Sequence, residues 1–135
     1  MAQSYIHAEN SAKHFKAGKP EDYLAIHEWI DQFKSTFGDV RHRAMLHHAK
    51  GPWMAQEVFG HYIEVEDWKT KKPRRIVVRE IAENHIVEDM GCIPSPGDWL
   101  DCMNCHVWMG GKKNKFIGRE DVFNSVAKSG KKEEA

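Results

Sequence analysis

A chain of 135 residues suits one compact domain, and a hydrophobic content of 41% is enough to build a core. Lys and Arg number 20 and Asp and Glu number 20, a balance that argues against a protein gripping nucleic acid by bulk charge and against an acidic decoy. The chemically unusual count is nine histidines.

Residues 1–19 are polar and mixed, and read as an N-terminal arm or short helix. Pro20 suits the first position of a helix, and Glu21 and Asp22 suit its positive end. Tyr23, Ile26, Ile30, Phe33 and Phe37 then recur at helical spacing, which predicts one amphipathic helix ending at Gly38. Asp39 can cap a second helix through Val40, Ala44, Leu46, His47 and His48. Gly51-Pro52 interrupts it, as a kink or as the start of a new helix with Pro52 first. That periodicity resumes from Trp53 to Phe59 and stops at Gly60.

Residues 61–68 and 75–79 read as two strands of a hairpin with a basic tip. A helix comes next, from about Glu80 to Met90, with Gly91 beyond its end. Ser95, Pro96 and Asp98 form a cap, a first-turn proline and a capping-box acid, so a short helix starts at Pro96. Residues 109–115 read as a flexible basic loop, Arg119 to Lys128 as a last helix, and 129–135 as a frayed tail. The expected fold is α+β: a mainly helical single globular domain over 20–128 with one β-hairpin.

Three helical segments carry histidine beside carboxylate or a second histidine. His27 and Asp31 share a face at i,i+4. His42, His47 and His48 lie in the run RHRAMLHH; if that helix continued past Gly51, Arg43, His47, Met54, Glu57 and His61 would share a stripe. His85 comes with Glu88 and Asp89, and Val78, Ala82, His85 and Asp89 share a stripe with an apolar start. Helical bundles build metal sites from such inward ligands. The candidate ligands are His27, Asp31, His47, His48, Glu57, His85 and Asp89, with Glu88 as the carboxylate that takes a proton from water. Mixed nitrogen and oxygen donors suit a divalent zinc, manganese or iron. A hydrogen-bonded polar core without metal is the alternative.

Cys102-Met103-Asn104-Cys105-His106 has the haem-attachment pattern, but MAQSYIHAENSAKHF is neither basic nor apolar as an export signal would be, so no haem is expected. A zinc set of Cys92, Cys102, Cys105 and His106 lacks a second spaced pair, and buried thiols at the end of a short helix are the expectation. An odd cysteine count and the absence of any long apolar run point to a reducing, cytoplasmic location away from membranes. Lys69, Lys71, Lys72, Arg74 and Arg75 at the hairpin tip, and Lys112, Lys113 and Lys115, form basic runs beside Trp68 and Trp108 that could contact nucleic acid or a protein partner.

The runs IHEWIDQFKSTFGDVRHRAMLHHAKG, EVFG and VVREIAENHIVEDMGCIPSPGDWL resemble a family of small uncharacterised bacteriophage and bacterial proteins over roughly residues 26–100. The matching positions include His27, Asp31, Arg41, His42, His47, His48, Glu57, His85, Glu88, Asp89, Pro94, Asp98 and Trp99, while Pro52 departs from the pattern. The resemblance implies a phage or bacterial origin and an intracellular protein. The His-rich helical centre also resembles HD-type phosphohydrolases, with His47-His48 where those have a His-Asp pair. Three functions stand as expectations. One is a metal-dependent hydrolase of a phosphate ester or nucleotide. The second is a non-catalytic binding module, a phage factor contacting a host protein. The third is a small nucleic-acid binder using the basic loops.

Overall fold

A computed structural model of the protein describes residues 2–110, and the chain divides into two compact units, 1–99 and 100–135. The predicted helix over Arg119–Lys128, the tail at 129–135 and the lysines at 112, 113 and 115 lie outside the described residues.

The first unit is mainly helical, with one antiparallel hairpin. The segment read as an arm or short helix is a 14-residue helix, α1 (Ala2–Phe15). Its inner face is Ser4, His7, Ala8, Ser11 and Ala12, small or polar side chains that let the backbone approach its neighbours closely. Helix α2 (Pro20–Ile30) starts where the proline and the acidic pair predict; Asp22 accepts from the Lys19 amide at 2.8 Å. It buries Tyr23, Ile26, His27 and Ile30. The helix ends earlier than its apolar stripe suggests. Asp31 leaves helical geometry, a 3-10 turn covers Gln32–Ser35, and Phe37 is 44% exposed.

Asp39 caps as expected, accepting from the Arg41 amide, but the chain then forms a 3-10 turn (Val40–His42) and a single turn of helix, α3 (Arg43–Leu46). Helical geometry breaks at His47 and resumes as α4 (Lys50–Phe59), so Pro52 falls in the first turn of a new helix, where its missing N–H costs nothing. Gly51 explains the break: a Cβ there would sit 1.9 Å from the Leu46 carbonyl oxygen.

Strands β1 (Tyr62–Glu66) and β2 (Pro73–Val77) pair with Ile63 opposite Ile76 and Val65 opposite Arg74. Val65 and Ile76 face the core; along β1 the exposed positions alternate with the inward ones, whereas Pro73, Arg74 and Arg75 of β2 are all exposed. Helix α5 (Val78–Met90) begins at Val78, read from sequence as strand, and ends on left-handed Gly91. Helix α6 (Pro96–Leu100) carries the predicted reciprocal cap between Ser95 and Asp98. The core joins Ala8 and Ala12 of α1, Tyr23, Ile26 and Ile30 of α2, Ala55 of α4, the hairpin pair, and Val78, Ile81 and Ala82 of α5. Among the described residues no helix is long and apolar enough to cross a membrane.

Candidate functional site

The polar residues on the inner faces of α1, α2 and α5 meet the turn before α4. His27, His47 and His85 are fully buried. His85 Nε2 lies 3.2 Å from Asp31 Oδ1 and 3.2 Å from Asp89 Oδ2. His47 Nε2 lies 3.0 Å from Asp89 Oδ2 and 3.5 Å from Asp31 Oδ1. One donor atom from each of Asp31, His47, His85 and Asp89 falls within 4.8 Å of the others, so this buried group could hold a metal ion. His42 Nε2 is 3.7 Å from Asp31 Oδ1 and is buried without a hydrogen-bond partner among the described residues, as are Asp31 Oδ2 and His47 Nδ1. Buried polar atoms left unpaired are rare in folded proteins and call for an explanation.

Behind His85 runs a second line of contacts. His85 Nδ1 meets His27 Nδ1 at 2.8 Å, and His27 Nε2 meets Ser11 Oγ at 2.7 Å. His7 stacks on His85 with ring centroids 3.9 Å apart. It reaches Glu88 Oε1 from Nδ1 at 2.5 Å and Asp89 Oδ1 from Nε2 at 3.1 Å. Arg43 approaches Asp89 Oδ1 at 3.9 Å, and Lys34 approaches Asp31 Oδ2 at 3.7 Å.

The environments drive these groups apart. Burial pulls His7 down, but its hydrogen bonds to Asp89 and Glu88 outweigh burial and raise its pKa to about 9. Among the described residues no carboxylate hydrogen-bonds to His27; burial, then the neighbouring His85 and His7, lower it to about 3, against the weaker pull of Asp31 and Asp89. Burial also lowers His47, against the hydrogen bond to Asp89. Asp31 resists the upward pull of burial through His85, Lys34 and His47 and falls to about 2. Asp89 is held well below the usual carboxylate range because His47, His7 and His85 all bond to it, overcoming its burial. The centre therefore contains two ionised carboxylates, a protonated His7 and a neutral His27.

Several predicted residues fall elsewhere. His48 does not reach the cluster: its Nε2 meets the Met45 carbonyl at 3.0 Å, while its Nδ1 accepts from the Lys50 and Gly51 amides. It caps the turn into α4, because adjacent histidines cannot both face one site. Glu57 is exposed on α4, in a surface pocket with Lys50, Trp53, Gln56 and His61, because the break at His47 rotates α4 out of the stripe that a continuous helix would give. Glu88 points its carboxylate at His7 and Asn10, outside the four-donor group.

The basic tip is partly occupied by the chain itself. Arg74 donates to the Phe15 carbonyl and to Asp67 at 3.2 Å, and Arg75 lies over Tyr62 at 4.2 Å. Lys71 and Lys72 are exposed. The expected buried thiols are also corrected: Cys92 and Cys102 are exposed and Cys105 is half-buried.

His7, Ser11 and the inward role of His42 were not legible from periodicity. The signal for α1 was present as Ser4, Ala8, Ser11 and Ala12 at helical spacing, but small and polar residues raise no apolar stripe. His42 sits in a 3-10 turn, where a helical register does not apply.

The arrangement defines a small, mainly helical α+β protein built around a buried imidazole–carboxylate cluster. The chain belongs to the family described as Domain of unknown function (DUF6915), which matches residues 2–109. No curated protein and no solved structure matches it.

Proposed function

We propose that the protein binds a divalent metal through Asp31, His47, His85 and Asp89 and uses it to hydrolyse a phosphate ester. The observation that carries this reading is the convergence of two Nε2 atoms and two carboxylate oxygens within 4.8 Å in a buried site. His42 Nε2, orphaned and 3.7 Å from Asp31, completes a donor set of three imidazoles and two carboxylates. That chemistry suits zinc, manganese or iron. When bound, such an ion polarises a phosphoryl oxygen and makes water acidic enough to attack at neutral pH.

Access supports the substrate class. A cavity of about 570 Å3 has Asp31 on its wall, together with Gln3, Ser4, Glu28, Gln32 and Lys34. Lys34 is anchored to Gln3 Oε1 at 2.9 Å and stands 3.7 Å from Asp31 Oδ2. Asp31 thus presents one oxygen to the imidazoles and the other to a cation suited to a phosphoryl group.

Charge favours a second reading. His7, Arg43 and Lys34 already face Asp89, Glu88 and Asp31. A centre balanced this way can serve as a hydrogen-bonded core. The chain is then a non-catalytic module that meets a partner through exposed aromatics such as Trp53, 52% exposed, and Trp68, 45% exposed.

Elemental analysis of protein purified without a histidine tag separates the two. The first reading expects about one equivalent of metal, a melting temperature lowered by chelator, and phosphomonoesterase activity lost in Asp89→Asn. Metal-free protein with a chelator-independent melt overturns it and supports the module.

A further inference from the structure

We propose that His27 and Ser11 are positioning residues of the metal centre, and that loading the metal fixes the direction of every hydrogen bond from His85 back to α1. The inference rests on the metal-binding reading above.

The geometry is restrictive. His27 is fully buried, and its two ring nitrogens have one close polar partner each: His85 Nδ1 at 2.8 Å and Ser11 Oγ at 2.7 Å. Two imidazole nitrogens at that separation share a single proton, so one must donate and the other accept. A ring with one N–H donates from one nitrogen and accepts at the other, so the role of His27 toward His85 decides its role toward Ser11.

With one N–H on each ring, this line of contacts can run in two senses. In one, Ser11 O–H donates to His27 Nε2, His27 Nδ1–H donates to His85 Nδ1, and His85 Nε2–H donates to Asp31 and Asp89. In the other, His85 Nδ1–H donates to His27 Nδ1, and His27 Nε2–H donates to Ser11 Oγ. Only the second leaves a lone pair on His85 Nε2, the atom 3.2 Å from both carboxylates. Both senses hold three protons on the three residues, so the change of sense requires no net proton gain or loss.

A metal ion takes the lone pair and therefore selects the second sense. Partners on the far nitrogen of a ligating histidine fix its tautomer and ring orientation, and losing one typically costs about 10–100-fold in metal affinity. Here the partner is a second histidine, itself oriented by a serine hydroxyl on a different helix. Ser11 thereby acts on the centre through two rings without touching any of the four ligands.

The test uses the full chain, zinc as the probe, and protein labelled with 15N at histidine. Long-range 1H–15N correlation reads each ring's tautomer. In the zinc-loaded protein His85 is expected as Nδ1–H and His27 as Nε2–H. Ser11→Ala and His27→Gln are expected to weaken zinc binding about tenfold or more. If His27→Gln does not fold, Ser11→Ala and the wild-type spectra carry the test. A wild type that binds zinc with His27 as Nδ1–H, or a folded Ser11→Ala that binds zinc as tightly as wild type, overturns the positioning role while leaving the metal centre intact. A wild type that binds no zinc overturns both.

Discussion

His7 and His27 are both buried and touch the same neighbour, yet they end in opposite protonation states. The difference is the partner. Two carboxylates bond the His7 ring and raise its pKa to about 9; burial, then the neighbouring His85 and His7, lower His27 to about 3. Linkage converts this into stability. The His7 contribution is fully present below its unfolded pKa of about 6.5 and is lost as pH rises through about 9. The contribution of neutral His27 is present above about pH 6.5 and is lost as pH falls toward 3. Asp31, lowered to about 2, adds to the loss on the acid side, and Asp89 acts in the same direction. Chelator-treated protein should therefore melt at its highest temperature near neutrality, with a falling limb on each side. His7→Gln should cost about 2–3 kcal/mol at pH 7 and flatten the alkaline limb. A variant with the wild-type alkaline limb would assign that limb to another group.

At the scale of elements, the break between α3 and α4 decides which histidines serve the centre. It turns His47 inward and leaves His48 to cap α4. Gly51 makes the break, since the Leu46 carbonyl leaves no room there for a Cβ. Gly51→Ala should lower stability by about 1–3 kcal/mol, through a clash with backbone that cannot swing aside. An unchanged urea midpoint would show that the turn tolerates a side chain. The Gly-Pro step was visible in the sequence as an interruption, but its effect on His48 and Glu57 was not, because a stripe drawn through a break has no meaning.

The hairpin, α2 and the capped start of α6 were legible from alternation, from the apolar stripe and from Ser95 and Asp98. The end of α2 was not. Phe33 and Phe37 keep the helical spacing, but Asp31 is drawn into the cluster, and its contacts with His85 and His47 outweigh two half-buried or exposed rings. The centre itself was half legible: His27, Asp31, His47, His85 and Asp89 stand out by spacing, whereas His7 lies on a helix with no apolar signal.

For the whole molecule, the four-donor group ties α2, the turn before α4 and α5 together. Metal loading should slow amide hydrogen exchange in all three at once and leave the β1–β2 hairpin unchanged. Protection confined to one element would mean a local site. The same geography bears on synthesis. His7 must wait for Glu88, which lies 81 positions later in the chain. Domains form as the chain emerges, amino-terminal part first, and exposed apolar surface in that interval invites aggregation. The waiting face of α1 is Ser4, His7, Ala8, Ser11 and Ala12, small or polar side chains that offer little apolar surface. Helix α1, made before α5, is thus one that can idle in solution without a chaperone's shelter until its partners arrive.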